Sequence, residues 1–198
     1  MAGPHAHDDD KPHEVTPTDA PTAAIGLYFG TQTGKTEQVC GIIKNELGDA
    51  VSDAVDVSEG DLEHFPNLDG LICGIPTWNT GAEELRSGTN WDNLLEKIAD
   101  LNLKDKPVAI FGLGDSVDAM EELHRFFEKA GAKMVGYVSL DDYTFVSSRC
   151  LIPHLNEISK PEEGEKFCGL PVDEDSENEK TEERVKNWCS QLKSEMGL

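Results

Sequence analysis

Apolar residues fall into short blocks separated by polar, turn-forming stretches, and the blocks are of two alternating kinds. Residues 23–29 (AAIGLYF) form a continuous apolar run that stops at Gly30. From Glu37 to Leu47 the apolar positions are Val39, Ile42, Ile43 and Leu47, the spacing of one helical face. Val51–Val57 alternates weakly and reads as a second, poorer strand. Residues 68–74 (LDGLICG) and 106–112 (KPVAIFG) are short runs bounded by turn residues, as expected of strands buried on both faces. Trp91–Leu101 and Asp118–Lys129 carry helical spacing, and 133–139 (KMVGYVS) predicts a fifth strand. Thr181–Met196 predicts a closing amphipathic helix with Val185, Trp188, Cys189, Leu192 and Met196 on one face. Thr181 is its expected N-cap, with Glu182 and Glu183 near the positive helix end. Strand alternating with helix predicts an open α/β sheet with right-handed crossovers. Ligands of such folds sit beyond the carboxyl ends of the strands, so attention narrows to the loops after Phe29, Gly74 and Gly112.

Length and composition add an outline. The 198 residues suit one domain with a tail: an acidic, histidine-containing segment at 1–22, expected to be disordered, and a folded domain at 23–198. The tail's His5, His7 and His13, beside Asp8–Asp10, are at most weak metal ligands, and solvated tail is the reading preferred. A net charge of −22 argues against nucleic acid and anionic membrane as partners. The cysteines Cys40, Cys73, Cys150, Cys168 and Cys189 are scattered without a C-x-x-C pair, which predicts reduced thiols in an intracellular, cytoplasmic protein. Neither a signal peptide, a transit peptide nor a membrane-spanning run is expected.

The first loop, Gly30-Thr31-Gln32-Thr33-Gly34-Lys35-Thr36, leaves a strand and opens a helix. Backbone N–H groups and the helix dipole favour an anion at such a turn, and three threonine hydroxyls and a glutamine amide add neutral donors. The triphosphate P-loop needs four residues between its glycines, and here three separate Gly30 from Gly34. A hydroxyl-rich cradle with few charges suits a phosphate monoester instead. The second loop, Ile75-Pro76-Thr77-Trp78-Asn79-Thr80-Gly81, sets a tryptophan among turn residues at the ligand edge. Trp78 is either a platform for a planar ring or a packing residue of the loop.

With both loops in view the chain resembles a long-chain flavodoxin from about Ala23 to Leu198. IGLYFGTQTGKTE resembles that family's phosphate loop, GIPTWNTGAEELRSGTNWD its first flavin loop and VAIFGLGD the start of its second. KFCGLPVDED and RVKNWCSQLKSE resemble its closing strand and helix, and NTGAEELRSGTNWD is most similar to the flavodoxins of eukaryotic algae. The resemblance implies a three-layer sandwich on a five-stranded parallel sheet of order 2-1-3-4-5. It implies bound FMN, with the phosphate held by Thr31, Gln32, Thr33, Gly34, Lys35 and Thr36. Pro76, Thr77, Trp78, Asn79, Thr80 and Gly81 would line one face of the ring, and Leu113, Gly114 and Asp115 its pyrimidine edge. In the family the peptide matching Asn79–Thr80 turns over on one-electron reduction, so that a carbonyl accepts from flavin N5; Gly81 loosens the neighbouring backbone.

The function implied by the resemblance is that of a monomeric, low-potential one-electron carrier, not an enzyme, working between redox proteins with basic faces such as ferredoxin-NADP reductase or photosystem I. An algal origin would put it in the plastid stroma. Acidic side chains oppose negative charge on a reduced flavin and steer the chain toward basic partners. Two departures stand against the pattern. Val117 runs straight into Asp118, where the family carries a short segment with a second stacking tyrosine, and residues 146–158 (VSSRCLIPHLNEI) have no counterpart. These departures keep a second reading open: a flavodoxin-like module with weakened or lost FMN binding that acts through protein contacts. A nucleotide hydrolase fails on glycine spacing and shows no aspartate after a strand to bind a metal. His64, His124 and His154 are scattered and read as surface or packing residues, so no catalytic residue is assigned.

Overall fold

Strands that lie inside a parallel sheet are covered on both faces, and the first and third apolar runs behave accordingly. In the computed structural model, which describes residues 25–59, 62–76, 87–98, 100–113, 118–139 and 166–198, β1 (Ile25–Phe29) and β3 (Gly70–Pro76) are buried at every position. β2 (Val51–Asp56) is the edge strand and correspondingly half-exposed, which is why its alternation is weak. β4 (Pro107–Leu113) completes the centre, and the order β2-β1-β3-β4 with all-parallel pairing is the one expected.

The fifth position is filled in two instalments. β5 (Lys133–Val135) pairs with Pro107–Ala109, and β8 (Leu170–Val172) pairs with Phe111–Leu113 on the same edge of β4. The single strand expected over 133–139 therefore breaks after Val135. Gly136 takes a positive φ of 78°, and its backbone groups leave the sheet for the last helix: the Trp188 indole N–H donates to its carbonyl at 2.8 Å, and a Glu195 carboxylate oxygen accepts from its N–H at 2.6 Å. The chain continues as β6 (Val138–Ser139), which pairs antiparallel with β7 (Lys166–Phe167).

Helix α1 (Lys35–Leu47) buries Thr36, Val39, Cys40, Ile43 and Leu47, and packs against α4 (Asn178–Met196), which buries Thr181, Val185, Trp188, Cys189 and Leu192. α2 (Trp91–Lys97) ends four residues short of the expected Leu101, since Leu103 and Asp105 donate their N–H groups to Ala130 and Gly131 at the end of α3 (Asp118–Lys129). Trp188 meets Phe111 edge-on at 6.1 Å, and Trp91 meets Phe127 edge-on at 6.4 Å, joining helices to sheet and to each other.

Thr181 is not the N-cap of α4. The helix begins at Asn178, so Thr181, Glu182 and Glu183 lie past its start. The preceding turn is organised by Asp173, whose Oδ1 accepts from the N–H groups of Asp175 and Ser176 at 2.9 and 3.0 Å. Glu177 then draws Lys180 and Arg184 to its carboxylate, at 2.5 and 2.9 Å. Among the described residues Cys40, Cys73, Cys168 and Cys189 are buried thiols outside any disulfide; burial pushes Cys189 up to about 12, far from a nucleophilic thiolate at neutral pH. Among the described residues no helix is long and apolar enough to cross a membrane, and no cluster of metal-ligating side chains occurs.

Candidate functional site

The carboxyl ends of β1, β3, β4 and β8 lie side by side. Pro76 is paired with Leu113, and Leu113 with Val172, so the residues beyond these strands share one edge. There a cavity of about 340 Å³ is lined by Gln32, Thr33, Lys35 and Thr36 from the first loop, by Pro76 and Leu113 from the strand ends, and by Asp173, Glu174, Asp175 and Ser176 after β8. The structure thus brings together residues that the sequence distributes over four separate stretches.

Within the first loop Gly34 adopts a left-handed φ of 81° and occupies the N-cap of α1. Its N–H is taken by the Thr31 hydroxyl at 2.9 Å, and its carbonyl accepts from Gln38 N–H at 3.1 Å. A glycine has no side chain with which to cap the first turn, so no side chain caps the donors at this helix start. Thr36 is buried, whereas Gln32 and Thr33 are exposed, so the loop presents hydroxyl and amide donors above a buried base. Gln32 Nε2 also donates to the Gly88 carbonyl at 2.9 Å, which ties the first loop to the turn before α2.

That turn is itself fixed from below. Asp92 accepts from Ser87 N–H, Ser87 Oγ and Gly88 N–H at 2.9, 2.9 and 2.8 Å, and Asn90 reaches the carbonyl of Val57 at 2.9 Å. Trp91 donates to Gly74 at the end of β3. Sequence reasoning assigned no role to these residues; the signal available was the dense run of turn and cap formers, Ser-Gly-Thr-Asn-Trp-Asp, at the end of the second loop.

Lys35 and the acidic wall differ most from expectation. The Lys35 ammonium pairs with Asp175, which holds its proton above the usual lysine range through that hydrogen bond, with burial opposing. Asp173, Glu174 and Asp175 were not foreseen as lining residues, because their place depends on β8 returning beside β4. Glu174 Oε1 is buried without a hydrogen-bond partner, an acceptor suited to a hydroxyl of a sugar-like chain. Thr77, Trp78, Asn79, Thr80, Gly81, Gly114 and Asp115 lie outside the described residues, as do the tail and the segment 146–158.

The flavodoxin family profile matches residues 27–188. A flavodoxin from Nostoc sp. is 40% identical over 181 residues, covering 88% of this chain and 98% of its own. One from Haemophilus influenzae is 34% identical over 183 residues, covering 89% and 97%. Among solved structures, Fusobacterium nucleatum flavodoxin bound to flavin mononucleotide superposes with a TM-score of 0.68 at 26% identity, covering 86% of this chain and 97% of the other. The alternative of a module that has lost FMN gains no support from any of these. A chain that aligns with flavodoxins over nearly their whole length, on a sheet of the same strand order, belongs to the flavodoxin family: it is an FMN-binding electron-transfer flavoprotein and not a catalyst.

Proposed function

We propose that this chain carries single electrons at low potential between redox proteins, with FMN seated in the cavity at the strand ends. The observation that carries this reading is the convergence of Gln32, Thr33 and Thr36 with Pro76 and Leu113 around one space. The phosphate would be held by the N–H groups of the first turn of α1 and by the hydroxyls of Thr31, Thr33 and Thr36, with Lys35 contributing its backbone N–H. Donors of this kind hold an anion without neutralising it. Glu174 Oε1 and its neighbours after β8 would accept from ribityl hydroxyls. Trp78 would cover one ring face, Thr77, Asn79, Thr80 and Gly81 would shape that loop, and Gly114 and Asp115 would extend the edge begun by Leu113. When bound, FMN supplies a ring that takes up and releases one electron at a time.

The protein's own charge sets the direction of the potential. Each carboxylate about 10 Å from an added negative charge opposes it by ~0.4 kcal/mol in water, and three carboxylates line this cavity. The net charge of −22 supports docking to basic faces, for which ferredoxin-NADP reductase and photosystem I are the proposed partners, with a monomer as the working form. A domain at 23–198 behind a solvated tail at 1–22, a cytoplasmic location, and a plastid one if the likeness of 79–92 to algal flavodoxins reflects descent, complete the proposal. The test is the absorption spectrum of the purified protein together with the mass of the cofactor released from it. Flavin bands with FMN as the released species are expected; FAD as the dominant species, or a chain that takes up no flavin, would refute the reading.

A further inference from the structure

Lys35 is the one cation among the described residues lining the cavity, facing Asp173, Glu174 and Asp175. Its ammonium reaches from the first turn of α1 to Asp175 in the turn after β8. Asp173 is differently engaged, since its Oδ1 accepts two backbone N–H groups of its own turn. Glu174 has an unpartnered buried oxygen. The lining therefore holds three carboxylates and one ammonium, and that ammonium is committed to one carboxylate. Phosphate and carboxylate compete for the same donor geometry, because both are oxyanions that take a charge-assisted N–H···O bond.

We propose that Asp175 withholds the Lys35 ammonium from the ligand phosphate, so that the Lys35–Asp175 pair sets how strongly the site prefers phosphorylated over unphosphorylated flavin. This rests on the reading of the cavity as the FMN site. Paired, the two side chains add no net charge, and the phosphate meets neutral donors beside the remaining carboxylates. Released, the ammonium can swing to the phosphate, and the preference for FMN over riboflavin rises. The pair is exposed, Lys35 by 39% and Asp175 by 82% of their side chains, so the competition is a close one and salt weakens it.

The experiment measures dissociation constants of FMN and riboflavin, by quenching of flavin fluorescence, for the full chain and its Asp175→Asn, Lys35→Met, double and Glu174→Gln variants. In Asp175→Asn the riboflavin-to-FMN ratio of dissociation constants should rise about three- to tenfold, the range between an exposed ion pair and a charge-assisted hydrogen bond. In the Lys35→Met background the same substitution should change that ratio less than about twofold, leaving only the general field. Glu174→Gln, which removes a charge without touching the pair, should likewise change it less than Asp175→Asn does. An unchanged ratio in Asp175→Asn, or an equal rise with and without Lys35, overturns the proposal. So does a shift common to both flavins, which would place Asp175 on the shared part of the ligand. If the unaltered chain binds neither flavin, the reading of the cavity itself falls.

Discussion

Trp91 donates its indole N–H to the carbonyl oxygen of Gly74 over 2.9 Å, and the N–H of Gly30 reaches that same oxygen at 3.0 Å. One buried carbonyl thus joins the end of β3 to the end of β1 and to the first residue of α2. Both ligand loops spring from this junction.

Trp91→Phe keeps a ring against Phe127 but removes the indole donor. Gly74 O retains one partner, so the expected loss is about 1–2 kcal/mol of unfolding free energy rather than collapse. Urea denaturation with an unchanged m-value is the check; stability equal to the parent would mean that the bond at Gly74 adds nothing.

Thr33→Ala removes an exposed hydroxyl from the cavity wall. FMN should bind about 1–2 kcal/mol more weakly. Riboflavin, which lacks the phosphate, should be indifferent. Titration of the two flavins distinguishes a phosphate contact from a general loosening of the loop.

Trp78 lies outside the described residues, and its role is open to a direct optical test. A stacked indole quenches flavin emission, so Trp78→Ala should brighten the bound flavin and weaken its binding by about 0.5–1.5 kcal/mol in stacking beyond the area lost. Bound-flavin emission that stays the same would make Trp78 a packing residue.

His124 is buried on α3, with Nε2 2.7 Å from the Tyr137 hydroxyl and Nδ1 unpartnered. Burial holds its pKa below the usual 6.5, with Arg125 adding to the effect and Glu128 opposing it. The unfolded chain therefore takes up the proton first. Stability should be complete above about pH 6.5 and decline as the pH falls from there toward the folded value. His124→Gln should flatten the decline between about pH 6.5 and 5, above the range where carboxylates dominate acid unfolding. Chemical denaturation at stepped pH reads this directly; parallel slopes for parent and variant would exonerate His124.

Legibility along the chain tracked locality. The first strand, the turn at Gly34 and helix α1 could be read because their pattern is completed within a few residues, and Asp118–Lys129 was located to its ends for the same reason. What escaped depends on distant partners. The strand over 133–139 breaks because Trp188 and Glu195 claim the backbone of Gly136. Helix α4 starts early because Asp173 and Glu177 organise the turn before it, where Thr181 offered an equally good local cap. The acidic side of the cavity was hidden because only the pairing of Leu170–Val172 with Phe111–Leu113 brings Asp173–Asp175 to the ligand edge.

The division of the fifth strand position has a consequence for how the chain tolerates changes in length. Ser139 and Lys166 sit opposite each other in the antiparallel β6–β7 pair, so their Cα atoms are separated by about 5 Å, the span of a tight hairpin connection. A chain in which a two-residue turn joins Ser139 to Lys166 is therefore expected to keep β5 and β8 in their places beside β4.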